Sequence, residues 1–349
     1  MGGLLLPLWG LPEKRIGRED YERIAREVEM KLLTQYPRAE ALRTFAMKEN
    51  FGDLDVICDV NNGEKPLLDF VKREFHPSPH KNGQTISFPY ENSFQVDLIS
   101  VGKENFAVAR DYLAWETGCA MGVVANAVGL RFGWDGLHLK YPLNLISPEL
   151  PAYDFFLVTF EKDPGLIFTL LGFDYFRFQQ GFAAKEDLFK WIEDSRYFDP
   201  KIFNLDELNS QNRIRNSKRP TYNALVEWVR DKEPKSRPSK SEMRDYIIRN
   251  YPHVQSVIGD KSAQIIKNKE RAAKFNGNLV KETSGLEGPP LGKLIVEFKN
   301  VYSKAQTFEE YLDARSAEEV YKVLKQFCFL RGFHEKKVDD GSNQDRVTA

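Results

Sequence analysis

Cysteine is scarce in this chain: three residues, Cys58, Cys119 and Cys328, among 349. They are too few and too scattered for a disulfide framework or a thiolate zinc site, and their scarcity fits a reducing, intracellular setting. Long apolar runs are missing too. Met1 to Leu11 is apolar but short, lacks a basic start, and is interrupted by Pro7 and Pro12, so neither a signal peptide nor a membrane anchor is expected. The chain has no P-loop and no Gly-x-Gly-x-x-Gly, which removes two common ways of holding phosphate. No Ser-His or Cys-His context marks a hydrolase. His76 and His80 flank Pro77-Ser78-Pro79 without the further ligands and regular scaffold that zinc needs. No internal repeat is found. The net charge of −1 alone says nothing about nucleic acid.

Apolar residues make up 42% of the chain and aromatics 13%, with 25 Phe and 14 Tyr. That is enough for substantial cores, and the length suits two or three packed units. The most specific signal is acidic. Asp53 and Asp55 lie in Gly52-Asp53-Leu54-Asp55-Val56, and Asp97 in Val96-Asp97-Leu98. Both stretches alternate like strands. Side chains two apart on a strand share a face, so Asp53 and Asp55 point together, with Leu54 and Val56 opposite. With Asp97 on the neighbouring strand, three carboxylates converge, and their repulsion calls for a hard cation such as Mg²⁺.

These motifs resemble the metal site of the nucleotidyltransferase superfamily typified by DNA polymerase β. Trp115-Glu116-Thr117-Gly118 is similar to the segment that lies under the incoming nucleotide in family X polymerases. Ala125 to Gly133, followed by Asp135-Gly136-Leu137, resembles the helix and β-turn closing the palm-like domain. The resemblance covers roughly residues 39 to 145. It implies a two-ion Mg²⁺ or Mn²⁺ site at Asp53, Asp55 and Asp97, with Gly52 letting the backbone approach phosphate and Thr117 and Gly118 near the nucleotide sugar. One departure stands out: the superfamily's Gly-Ser is replaced by Leu42-Arg43-Thr44-Phe45. Arg43 offers a charged fork and Thr44 a hydroxyl in its place. Lys48 and Lys103 are further candidates for meeting a triphosphate, and Asp59 for a fourth acid, with strand-end solvation as its alternative. Trp115 and Phe132 suit base stacking or core packing.

The expected fold is α+β: a small twisted mixed or antiparallel sheet with helices on one face, then an all-helical C-terminal half. Strands are expected at 39–45, 54–60, 85–90 and 94–101, and 137–145 and 154–160 are expected to complete the same sheet. Helices are expected at 18–36, 67–75, 105–115, 119–129, 184–194, 220–232, 241–251 and 262–274, and residues 76–81 as a loop. The domains read as an N-terminal helical segment (1–38), a catalytic domain (39–160), a helical middle region (161–234), a linker at 235–240, a C-terminal helical domain (241–335) and a flexible tail (336–349).

Charge is unevenly spread. Residues 212 to 275 hold sixteen Lys or Arg against seven Asp or Glu, an asymmetry that points to a phosphate-rich partner and equally fits a solvated helical surface. Arg213, Arg215, Lys218 and Arg219 form its densest run and are candidates for gripping a nucleic-acid backbone. Phe275 to Val280 and Gly285 to Gly292 resemble the C-terminal module of CCA-adding enzymes and bacterial poly(A) polymerases, where helix stop, tight turn and restart need Gly and Pro. The expected activity is metal-dependent transfer of a nucleotide from a nucleoside triphosphate to an RNA or DNA 3′ end. Template-independent RNA tailing is favoured slightly, because only about 38 residues precede the first strand. A family X-like DNA polymerase, a non-catalytic nucleic-acid-binding scaffold, and an enzyme modifying a protein or small molecule remain alternatives. No membrane partner is expected.

Overall fold

The computed structural model describes residues 5–60, 64–91 and 94–333; the tail at 336–349 lies outside the described residues. The chain divides into two compact units, Met1–Ser256 and Val257–Ala349. The fold is α+β, with the strands in the first unit and a helical C-terminal half.

The main sheet has five strands: β1 (Ala39–Ala41), β2 (Asp53–Asp59), β3 (His80–Asn82), β4 (Thr85–Tyr90) and β5 (Phe94–Val101), in the order β1-β2-β5-β4-β3. β2 and β5 are parallel, and the other neighbours antiparallel. Alternation splits the central strands into two faces. Leu54, Val56, Phe94, Val96 and Leu98 join a core with Ile24, Val28 and Leu32 of α1 (Arg18–Leu33) and Leu67, Phe70 and Val71 of α2 (Glu64–Glu74). On the opposite face, α3 (Phe106–Leu113) packs Phe106 and Ala109 against Ile57 and Val101, towards the strand C-termini. Asp53, Asp55 and Asp97 occupy the other end of that face.

β4 and β5 match the expected strands residue for residue. β1 stops at Ala41, four residues early. From Arg43 onward the backbone bonds elsewhere: Arg43 O accepts from Trp115 N (3.3 Å), and Ala46 N and Met47 N donate to Phe182 O (3.1 Å) and Ala183 O (2.8 Å). β3 falls in the expected loop. It is a three-residue edge strand turned onto β4 at Gly83, whose φ of +58° suits glycine.

The later strands do not complete this sheet. After α4 (Thr117–Ala127), β6 (Leu130–Gly133), β7 (Gly136–Pro142) and β8 (Phe155–Glu161) form a separate antiparallel sheet in that order. The unexpected strand in this second sheet is β6, which pairs across a tight turn with β7. With β6 on one edge and β8 on the other, β7 has both sides filled.

The rest of the first unit is helical: α5 (Pro164–Leu170), α6 (Tyr175–Gln179), α7 (Lys185–Asp194), α8 (Ser210–Ser217), α9 (Pro220–Val229) and α10 (Lys240–Asn250). Asp163 and Asp174 cap α5 and α6 by accepting from Leu166 N and Arg177 N. The stretch 235–240 is tied down along its length. Lys235 N donates to Phe198 O (2.7 Å), and Arg237 reaches Ala127 O (3.1 Å).

The second unit holds most of α11 (Pro252–Lys274), then α12 (Gly277–Ser284), α13 (Gly288–Tyr302), α14 (Phe308–Asp313) and α15 (Ala317–Leu330). Its core gathers Phe275, Phe298, Phe308, Tyr311, Leu324 and Phe327. The stop, turn and restart expected from Gly285 to Gly292 is present: Gly285 (φ +69°) closes α12, and Pro lies in the first turn of α13. Thr307 with Glu310, and Ser316 with Glu319, form capping boxes. Among the described residues no helix is long and apolar enough to cross a membrane.

Candidate active site

The parallel register of β2 and β5 sets Asp55 directly across from Asp97, and Asp53 across from Gln95. All four side chains therefore share one face. Ser87 on β4 lies opposite Asp97 on its other side. Gln95 Nε2 donates to both Asp97 carboxylate oxygens, at 3.0 and 2.9 Å, while its Oε1 accepts from Leu5 N (2.9 Å). Asp97 is thus held in place by its neighbours.

The electrostatics follow from burial and from the mutual repulsion of the acids. Asp55 keeps part of its surface in contact with water, yet crowding by protein, reinforced by Asp53 and Asp97, pushes its carboxyl up to about 8. Lys48 opposes that rise and Glu116 adds to it. Burial also raises the Asp97 carboxyl; Ser87 and Gln95 hold it back, and Asp53 raises it further. Tyr21 on α1 stacks on Phe51 with ring centres 3.9 Å apart. Its phenol is made harder to ionise by burial, then by Asp55 and Asp53.

Lys48 reaches this cluster from the loop after β1. Its Nζ sits 4.8 Å above the Phe51 ring, and Arg18 holds the loop through Phe45 O (3.0 Å) and Lys48 O (2.7 Å). Glu116 comes from the turn joining α3 to α4. There Trp115 (φ 50°) and Glu116 (φ 61°) are consecutive non-glycine residues in the left-handed region, a conformation costing roughly 1–2 kcal/mol for each. Strain of this kind gathers at functional sites.

No protein-family model matches this chain, and no curated protein does.

The remaining candidates divide. Gly52 is buried immediately ahead of β2. Arg43 spreads its guanidinium 5.7 Å from the Trp115 ring centre and donates to Gln179 O (3.2 Å) and Oε1 (3.4 Å); Thr44 beside it is half-buried. Thr117 is fully buried, and its hydroxyl donates to Ala114 O (2.8 Å) and Asp111 O (3.2 Å). It stabilises the strained turn and has no face towards a ligand. Gly118 is required by packing, since a Cβ there would lie 2.5 Å from the Tyr112 ring and carbonyl. Trp115 and Phe132 are core residues: Trp115 packs edge-on against Phe178 and Phe182, and Phe132 against Tyr112.

Asp59 is neither a fourth acid nor solvated at a strand end. It is 1% exposed and paired with Arg38 at 2.8 Å, which also binds the Lys103 carbonyl (3.0 Å). The basic run 212–219 is largely helical, in α8. Arg213 is spent on the carbonyls of Leu205, Asp206 and Leu208, whereas Arg215 and Lys218 are exposed.

Hard carboxylate oxygens with a disfavoured negative charge suit Mg²⁺ or Mn²⁺, and Asp53 and Asp55 are the residues that would hold it, with Asp97 across the strand pair. As the side chains stand, no group of three or more His, Cys, Asp or Glu among the described residues is gathered closely enough to hold a metal ion. Three contributors, Ser87, Gln95 and Glu116, escaped the sequence reading. Gln95 sits two residues before Asp97 on the same strand face, so the alternation that found Asp97 also marks it. Glu116 becomes visible only through the left-handed turn that carries it.

Proposed function

We propose that this chain is a metal-dependent nucleotidyltransferase that adds nucleotides to the 3′ end of a nucleic acid, with untemplated addition to RNA favoured over templated DNA synthesis. The observation carrying this reading is the parallel pairing that places Asp55 across from Asp97 with Asp53 on the same face. Bound divalent ions would supply positive charge to the triphosphate and the attacking oxygen. The protein's own part is positioning. Asp53 and Asp55 hold fixed oxygen donors on a rigid strand pair. Asp97, locked by Gln95, accepts the hydrogen bond of the acceptor 3′-hydroxyl and orients it towards the α-phosphate. The Lys48 ammonium offsets triphosphate charge. Arg43 takes the place of the superfamily's Gly-Ser by exchanging its long bonds to Gln179 for phosphate oxygens.

A non-catalytic nucleic-acid-binding scaffold is the second reading, favoured by the occupation of both Asp97 oxygens by Gln95. Primer extension separates the two. End-labelled RNA and DNA primers, single-stranded and templated, are offered each ribo- and deoxynucleotide in Mg²⁺ or Mn²⁺, with Asp53→Asn run alongside. Extension by wild type alone is expected. Binding of the primers with no extension under any condition moves the assignment to the scaffold, and equal extension by Asp53→Asn removes the acid cluster from the reaction.

A further inference from the structure

The first unit contains a second concentration of like charge, and it is basic. A cleft of about 600 Å³ lies between the second sheet and the start of α10. Lys140 of β7, and Lys240 and Arg244 of α10, line it together with Tyr153 and Phe155. Lys240 and Arg244 are four apart and so share a helix face. Asp154 is the one acid on the wall among the described residues, and Arg244 is paired with its neighbour Asp245 (3.0 Å).

Lys140 and Lys240 have no acid partner among the described residues. Lys140 donates to Asn126 Oδ1 (2.5 Å) and lies 5.1 Å from the Phe155 ring centre. Its ammonium is half-buried, and burial with the nearby Lys240 and Arg131 pushes it down to about 8. An anion would relieve that repulsion. The Lys240 stem is laid across Gly129, where a Cβ would stand 3.1 Å from Lys240 Cβ. The N-terminus of α10 is already capped by Ser239 and Glu242, so the pull on an anion comes from the side chains. Beside these cations Tyr153 is 82% exposed and Phe155 46%, an unusual display of aromatic surface. Cations that track phosphate beside aromatic faces that stack on bases are the two parts of a single-strand binding groove.

We propose that this cleft binds a single-stranded nucleic acid, with Lys140 and Lys240 on its phosphates and a base stacked on Tyr153 or Phe155. The choice of a strand over a lone nucleotide rests on the acid cluster being the reaction centre. α4 joins the two places: Glu116, just before it, acts on Asp55, and Asn126, in its last turn, lines the cleft. Eleven helical residues span about 16 Å, which at ~3.4 Å per nucleotide is about five stacked nucleotides. The cleft would grip the acceptor upstream of its reacting end.

The test is fluorescence anisotropy with a labelled twelve-nucleotide RNA in EDTA, where no transfer occurs. Lys140→Gln with Lys240→Gln should weaken binding about tenfold and flatten the plot of log affinity against log salt by about 1 to 1.5. Tyr153→Ala, at a site too exposed to disturb folding, should weaken binding several-fold and leave the salt slope unchanged. Asp53→Asn should bind like wild type, so loss of transfer and loss of grip are read separately. An unchanged affinity and slope in the folded double variant overturns the proposal. So does equal binding of a duplex of the same length, or ATP binding that depends on Lys140 and Lys240 and is not displaced by the RNA.

Discussion

Asp55 in the first unit and Asp313 in the second are the same residue in opposite circumstances. Asp55 lies beside two more acids and is crowded by protein, and its carboxyl rises to about 8. Asp313 accepts from Arg271 at 2.7 and 2.6 Å and from Lys267 at 2.8 Å, and those bonds hold its carboxyl well below the usual carboxylate range. The second unit balances its charges locally and caps its helices in sequence. At the acid end of the main sheet, the first unit leaves charge uncancelled and carries two left-handed residues. A fold keeps such liabilities where a ligand removes them, and that contrast marks the first unit as the place to look for chemistry.

The contrast breaks most visibly in activity. Asp55→Asn should lower nucleotide incorporation by at least ~10²–10³-fold in the primer assay, while Asp313→Asn leaves it unchanged; equal losses would mean that both act only through folding. Next comes metal. Mg²⁺ or Mn²⁺ at a hundredfold over its dissociation constant should stabilise wild type by about 2.7 kcal/mol, read as a rise in Tm reversed by chelator and absent from Asp55→Asn.

The pH dependence then takes opposite signs. A carboxyl raised on folding favours the folded state while protonated, and that contribution is lost as pH climbs from about 4 towards about 8. In chelator-treated protein Asp55→Asn should therefore equal wild type near pH 4 and exceed it at pH 8 by about 1–2 kcal/mol, a value that allows for its partial contact with water. For Asp313, held low, the stability is present above the usual carboxylate range and lost as pH falls through it. Asp313→Asn should melt below wild type at pH 7, with the gap closing in acid. The smallest expected effect is at the turn: Glu116→Gly should gain about 1 kcal/mol by urea unfolding, and Glu116→Gln, which keeps the strained backbone, should not.

Much of this was readable from the amino-acid order. The alternation around Leu54 and Val96 is strong and both strands are central, so period and packing agree. β6 was missed because Leu130 to Gly133 is short, and its reason for being a strand is its partner β7. That Asp97 lies on the strand beside Asp53 and Asp55 was a condition of the sequence reading, and the parallel register that sets Asp55 across from Asp97 is a property of the assembled sheet. Thr117 and Gly118 show the opposite limit. The resemblance placed them near a nucleotide sugar, whereas the hydroxyl and the missing Cβ serve the α3–α4 junction. The basic run at 212–219 drew attention by density. The cleft at Lys140 and Lys240 joins residues a hundred positions apart, and no window along the chain contains both.

The parallel pairing of β2 with β5 also governs when the site can exist. Two parallel neighbours cannot be joined by a tight turn, and here the hairpin of β3 and β4 intervenes between them. A ribosome therefore releases Asp53 and Asp55 long before Asp97. Until Val101 has emerged, the acid pair has β1 beside it but lacks β5 and with it Asp97, and contacts so distant in sequence form slowly. The three carboxylates share one face only once the strand registry closes.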